Sequence, residues 1–266
     1  MKNVWSFCLL LTFTAAKAQP GTYSVANTHS HNDYEQQHPF WMAYDEGFGS
    51  IEADIFLRNG KLLVGHDTIE IKAGRTLEEY YIRPLVGCIH KNHGHPYADP
   101  SRQLQILIDV KEDSVATLGK LVEVLKKYPP LTRCSSLKWV ISGSRPDPAR
   151  YADYPSFIWF DGILHQDYSP AALEKIAMMS DNLSHYSRWN GLDTIPADQW
   201  KTLQAAIDHS HSLHKPVRLW GAPDFVNAWH QFILLKVDYI NTDHIHELAG
   251  FLQKAPPPGV QTGSRL

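Results

Sequence analysis

Between residues 23 and 252, eight short apolar runs are interspersed with seven helical patterns, and this repetition constrains the fold more than any other feature of the chain. Expected strands run through 23–28, 50–56, 104–110, 137–141, 157–160, 183–187, 216–220 and 238–241, with 61–64 a short extension returning across the second. Helical patterns fall at 40–46, 76–85, 114–127, 170–179, 197–214, 223–235 and 244–252. Strands alternating with helices argue for parallel βαβ units. Eight such strands favour closure into an α/β, TIM-type (β/α)8 barrel over an open sheet. Such a barrel needs about 250 residues, close to the 266 present.

The ends of the chain read differently. Met1-Lys2-Asn3 opens an apolar stretch to Ala16, and Ala16-Lys17-Ala18 fits a small-residue cleavage site, so residues 1–18 are expected to be a secretory signal peptide. An uncleaved anchor is the other reading, but the apolar stretch falls short of the roughly 20 residues a bilayer span needs. The expected barrel domain is 19–254, secreted or periplasmic, followed by a loose Pro/Gly-rich tail over 255–266. The formal charge is −3; without Lys2 and Lys17, 23 basic side chains remain against 28 acidic ones. This balance offers no basic field for nucleic acid. Cys88 and Cys134 read as two small buried hydrophobes, although export permits them to pair.

In such a barrel, chemistry collects at the C-terminal ends of the strands. His29 and His31 stand two apart after the first strand, and Glu52 and Asp54 share one face of the second. Gly65-His66-Asp67 follows the extension. Asp109 and Lys111 lie on one side of the third strand. Two acids on the interior face of an apolar strand are costly unless a cation or donor compensates them. Three carboxylates, Glu52, Asp54 and Asp109, suit Mg²⁺ or Ca²⁺. Pairing of Glu52 and Asp54 with Arg58 or Arg75, and a plain Asp109–Lys111 salt bridge, are the blander alternatives. Two histidines beside an acidic ion site can exchange the protons that phosphodiester cleavage requires. The segment His90-Lys91-Asn92-His93-Gly94-His95 reads as an exposed loop rather than a zinc site. No G-x-G-x-x-G, P-loop or G-x-S-x-G pattern is present.

The ordered set His29-Ser30-His31-Asn32-Asp33-Tyr34, Ser50-Ile51-Glu52-Ala53-Asp54, Val64-Gly65-His66, Arg75-Thr76-Leu77, Leu107-Ile108-Asp109-Val110-Lys111, Arg218 to Asp224 and Tyr239 to Asp243 resembles the PLC-like phosphodiesterases. That superfamily includes the glycerophosphodiester phosphodiesterases, and the closer match is the branch of Altered inheritance of mitochondria protein 6. The resemblance implies a phosphoric diester hydrolase with His31 and His66 in the catalytic positions and Glu52, Asp54 and Asp109 in the metal positions. It also implies that Lys111 and Trp220 line the phosphate pocket; His29 and Asn32 are carried as further substrate contacts. Two departures stand out. His31-Asn32-Asp33 replaces the common His-Arg-Gly triplet and removes an arginine expected at phosphate, and the Glu-Asn-Thr element that usually follows is absent. The expected substrate is a glycerophosphodiester or phospholipid-related diester, reached by transient contact with a membrane surface. A non-catalytic phosphate- or lipid-binding barrel and a metal-dependent hydrolase of another substrate are the rival readings.

Overall fold

A computed structural model describes residues 23–254; the expected signal peptide over 1–18, residues 19–22 and the tail over 255–266 lie outside the described residues. Nine strands form one sheet: β1 Thr28–Ser30, β2 Ser50–Arg58, β3 Lys61–Val64, β4 Leu104–Val110, β5 Leu137–Gly143, β6 Ile158–Ile163, β7 Ile176–Asn182, β8 Val217–Trp220 and β9 Ile240–Thr242. Their order is β8-β7-β6-β5-β4-β2-β1-β9, all parallel, with β3 folded back antiparallel on β2. A bridge between Arg218 and Tyr239 joins β8 to the chain entering β9, so eight parallel strands make a nearly closed barrel. The helices between them are α1 Trp41–Glu46, α2 Arg83–Lys91, α3 Ser114–Lys126, α4 Pro129–Arg133, α5 Pro170–Leu173, α6 Ala197–Ser212, α7 Val226–Leu234 and α8 Ile245–Lys254.

Both faces of the strands are covered, which is why they read as near-continuous apolar runs. Along β2, the first seven residues are buried, yet Ile51, Ala53 and Ile55 alternate with Glu52 and Asp54. The apolar set joins the core between sheet and helices, and the acids turn toward the barrel axis. Register then sets their neighbours. Asp54 pairs with Asp109, and Asp109 with Ser142, so three polar side chains line up across β2, β4 and β5 at one level.

Four expected elements differ from those observed. The first strand is Thr28–Ser30; Val25–Asn27 instead forms a 3-10 turn, because the Ser24 hydroxyl accepts from Ala26 N and the Asn27 side chain accepts from Ser24 N. Such local bonds compete with sheet pairing. The helix expected over 76–85 is a single π turn, Glu78–Ile82, running into α2, which continues to Lys91 through the first residues of the histidine-rich segment. The helix expected over 170–179 stops at Leu173 and the chain enters β7 at Ile176; the strand expected at 183–187 is a 3-10 turn, Leu183–His185, after that strand. Cys88 and Cys134 are both free, Cys88 buried and Cys134 half-buried.

Candidate active site

The C-terminal ends of the strands open into a cavity of about 430 Å³, lined on one side by His31, Asn32, Glu52, His66, Asp109 and Lys111. Register explains why the two leading histidines part company. His29 is level with Ser50, deep in the barrel, and His31 follows the end of β1. His29 is fully buried: its Nδ1 lies 2.6 Å from Ser50 Oγ and its Nε2 2.7 Å from Glu52 Oε2. It does not line the cavity, which corrects its expected role as a substrate contact; the ring packs beneath Glu52. Burial, and then the neighbouring Arg218 charge, lower its pKa to about 4, so it is neutral at physiological pH.

The His31 side chain is 30% exposed, and its Nδ1 lies 2.8 Å from Asp243 Oδ1. Burial alone pushes this imidazole down, but the Asp243 hydrogen bond and the charges of Glu52 and Asp243 together outweigh it, leaving the pKa above the ordinary histidine value. His66, 55% exposed, places Nδ1 3.3 Å from Asp54 Oδ2 and 3.3 Å from the Tyr34 hydroxyl. That hydroxyl also sits 2.7 Å from Asp54 Oδ2 and 2.9 Å from Asn32 Oδ1, and it can donate to one partner at a time. Asn32 turns the chain into this position with a left-handed φ of 45°. The turn is fixed from below by Asp33, which accepts from Ser30, the Phe40 amide and Tyr81.

Glu52, Asp54 and Asp109 each offer an oxygen within 4.8 Å of the others. Oδ1 of Asp54 and Oδ1 of Asp109 are buried without a hydrogen-bond partner. An orphaned carboxylate oxygen is costly, and a cation is the natural compensation. Burial, followed by the charges of Glu52 and Asp109, raises the pKa of Asp54, whereas Arg218 and His29 overcome burial to hold Glu52 well below the carboxylate range. Gly143 closes the site from β5. It adopts φ 66°, and a Cβ there would collide with Asp109 Oδ1 and the Val110 carbonyl. The donor set is all oxygen and fits a hard divalent ion.

Cationic side chains occupy part of this negative site. Lys111 Nζ lies 2.7 Å from Asp54 Oδ2 and 2.8 Å from Asp109 Oδ2, so the Asp109–Lys111 pair exists but is shared with Asp54. These two charges outweigh the burial of Lys111 and keep its pKa above that of an ordinary lysine. Glu52 pairs at 3.1 Å with Arg218 rather than with Arg58 or Arg75. Arg58 pairs with Glu112, and Arg75 donates to the Tyr34 carbonyl.

Trp220, 39% exposed at the end of β8, lines the cavity. The opposite wall, from β5 to β8, carries Ser142, Arg145, Asp161, His165, Ser180, Asp181, His185 and Arg218. From the sequence, Asp161 alone of these is expected to face the pocket, with no step assigned to it. Asp161 is buried, accepts from Ser142 and Ser180, and leaves Oδ1 unpartnered. Arg145 and Arg218 bring guanidinium groups to the cavity from β5–β6 and β8, at positions far in sequence from the missing arginine of the His-Arg-Gly triplet. Trp189 does not reach this cavity; its indole donates to Asp193.

Residues 22–132 match the family model described as AIM6-like phosphodiesterase domain. Altered inheritance of mitochondria protein 6 of Kluyveromyces lactis is 28% identical over 85% of this chain and 72% of its own length. The protein of the same name in Saccharomyces cerevisiae is 24% identical over 84% and 67%. Among solved structures, a glycerophosphodiester phosphodiesterase from Parabacteroides distasonis superposes with a TM-score of 0.52 at 14% identity, covering 85% of this chain and 96% of that one. A phosphodiesterase from Oleispira antarctica, solved with the product sn-glycerol-3-phosphate, gives 0.51 at 10% identity with the same coverage. These neighbours show the fold, a (β/α)8 barrel, and over residues 22–132 the chain is similar to an AIM6-like phosphodiesterase domain. The matched domain and the relatives set the resemblance of this chain in the AIM6-like branch.

Proposed function

We propose that this protein cleaves phosphodiesters at the β1–β4 side of the cavity, with a divalent cation and two histidines. One observation carries the reading: the buried, unpartnered oxygens of Asp54 and Asp109 lie beside Lys111 in the same cavity that His31 and His66 line. Glu52, Asp54 and Asp109 would hold Mg²⁺ or Ca²⁺. The ion would polarise a phosphoryl oxygen and offset charge in the transition state. Lys111 adds a positive charge beside the phosphate, and Asn32 and Trp220 bound it. One imidazole takes the proton of the attacking hydroxyl or water, and the other delivers a proton to the leaving oxygen. Asp243 orients the His31 ring through Nδ1, leaving Nε2 for the reacting group. Tyr34 links His66 to Asp54.

A glycerophosphodiester or phospholipid-related diester is the proposed substrate. The names of the structural neighbours support it, as does the mixed wall of charged side chains and Trp220. The proposed site of action is outside the cytoplasm, after removal of residues 1–18, with transient contact at a membrane surface. Among the described residues, no helix is long and apolar enough to cross a membrane. The test is turnover of a phosphodiester panel by residues 19–266, with and without Mg²⁺ or Ca²⁺. Cation-dependent release of a phosphomonoester or cyclic phosphate is expected. Binding of glycerophosphodiesters without turnover would instead establish the non-catalytic barrel.

A further inference from the structure

Across the barrel from His31, three side chains converge that the phosphodiesterase reading does not use. Asp181 ends the buried part of β7, His165 follows β6, and His185 closes the 3-10 turn after β7. The Asp181 carboxylate is 3% exposed and is gripped on both oxygens. Oδ1 lies 2.6 Å from His185 Nδ1 and accepts from the Asn182 amide at 2.8 Å. Oδ2 lies 2.5 Å from His165 Nδ1 and accepts from the Tyr186 hydroxyl at 2.9 Å.

Both imidazoles are more than half exposed, yet both turn Nδ1 inward to one buried carboxylate. Their rings stand 5.5 Å apart at 82°, so they do not stack; what they share is the carboxylate. The backbone fixes the arrangement. Leu164 N donates to the Ser180 carbonyl at 3.1 Å, tying the approach to His165 onto β7, and the Asn182 side chain caps the turn that carries His185. One nitrogen from each histidine and one oxygen from Asp181 lie within 4.8 Å of one another.

This donor set differs in kind from the oxygen-only cluster on the other wall. Two imidazole nitrogens and a carboxylate suit a borderline dication such as Zn²⁺, whereas Mg²⁺ and Ca²⁺ take oxygen ligands. Three protein ligands with one open position is the common form of an accessible zinc centre. All three residues line the cavity, and His165, His185 and Tyr186 also line an adjoining hollow of about 270 Å³, so the place can be reached from solvent. Tyr186 and the Asn182 amide would act as the outer hydrogen bonds that hold the carboxylate ligand in orientation.

We propose that His165, Asp181 and His185 form a second cation site, selective for Zn²⁺ and open on the cavity side. Each neutral imidazole coordinates through Nδ1 after its proton moves to Nε2. Protons and the cation compete for the same ring nitrogens.

The test is calorimetric titration of the metal-stripped protein with Zn²⁺ in saturating Mg²⁺, alongside NMR of the histidine rings. One Zn²⁺ per chain is expected, shifting the resonances of His165 and His185 and binding more weakly as the pH is lowered. His165→Ala and His185→Ala, both of half-exposed side chains, should each weaken binding by at least about 100-fold, and Tyr186→Phe by about tenfold or more. Asp109→Asn should leave Zn²⁺ uptake in place, which separates this site from the proposed Mg²⁺ or Ca²⁺ site. Failure to take up Zn²⁺ would overturn the proposal. So would uptake that survives both histidine substitutions, or uptake lost with Asp109→Asn.

Discussion

The two walls of the cavity handle buried charge in opposite ways. On the β1–β4 wall, Asp54 and Asp109 sit side by side on neighbouring strands and each keeps one oxygen without a partner. On the β6–β8 wall, Asp181 is as deeply buried, but four donors satisfy it: two imidazoles, a phenol and an amide. The pKa values follow. Burial and neighbouring acids raise Asp54, whereas at Asp181 the hydrogen bonds from His165, Tyr186 and His185 overcome burial and the pKa is lowered. A carboxylate left partly unpaired is prepared to receive a cation. A fully paired one can take a cation only after its imidazole donors move their protons off Nδ1.

If turnover belongs to the first wall, the largest effects of substitution fall there. His31→Ala and His66→Ala should each lower kcat by about 10²–10⁴-fold, the usual range for general acid–base catalysis, as read from initial rates on a phosphodiester that is turned over well. His185→Ala on the opposite wall should cost less than about tenfold, and His93→Ala, exposed and outside the cavity, should be near neutral. Equal losses on both walls would erase the distinction between them.

A second effect separates His29 from His31. His29 is held neutral with a pKa of about 4, against about 6.5 in the unfolded chain. Below pH 6.5 the unfolded state binds the additional proton, so the stability His29 contributes is present above that pH and is lost as the pH falls toward 4, by up to about 3 kcal/mol. Asp33, raised to about 6 chiefly by burial, works in the opposite direction over an overlapping range. Comparing urea unfolding of the wild type with His29→Gln cancels Asp33. The wild type should lose stability relative to the variant on acidification; parallel curves would show that His29 does not titrate as a buried neutral ring.

Smaller effects sharpen the charge difference. Gly143→Ala forces a side chain against Asp109 at a φ of 66° and should weaken activation by Mg²⁺ or Ca²⁺ by about tenfold or more, measured as the cation concentration at half-maximal rate. Asp243→Asn removes a partner that helps raise the His31 pKa, so the limb of the pH–rate profile governed by His31 should move to lower pH, whichever direction of proton transfer that limb reports.

The same contrast explains what could be read from the sequence. The first wall is written in period-two pairs on strands whose apolar partners are unmistakable: Glu52 and Asp54 between Ile51, Ala53 and Ile55, and Asp109 between Ile108 and Val110. Even there, periodicity gave His29 and His31 the same face but not the same depth, since depth depends on register with β2. The second wall was lost with β7. Ile176-Ala177-Met178-Met179 is apolar throughout, and a continuous apolar run reads equally well as helix or strand; alanine and methionine favour helix, and burial on both faces decided for strand. Placing that strand at 183–187 removed Asp181 from a strand end and hid its meeting with His165, 16 residues away. Arg218 was visible in its motif, but its pairing with Glu52 comes from barrel closure, which joins residues 166 apart.

The central claim is that His31 and His66, beside the Glu52, Asp54 and Asp109 cluster, carry out phosphodiester cleavage. Its most direct test is ³¹P NMR of a glycerophosphodiester incubated with saturating Mg²⁺ or Ca²⁺ and either the wild type or the His31→Ala/His66→Ala double variant, both shown by circular dichroism to be folded. The wild type should convert the diester signal to a phosphomonoester or cyclic phosphate, and the double variant should be little slower than the slower single variant, because groups that act as a unit do not add. A folded double variant that still cleaves at the wild-type rate would contradict the account.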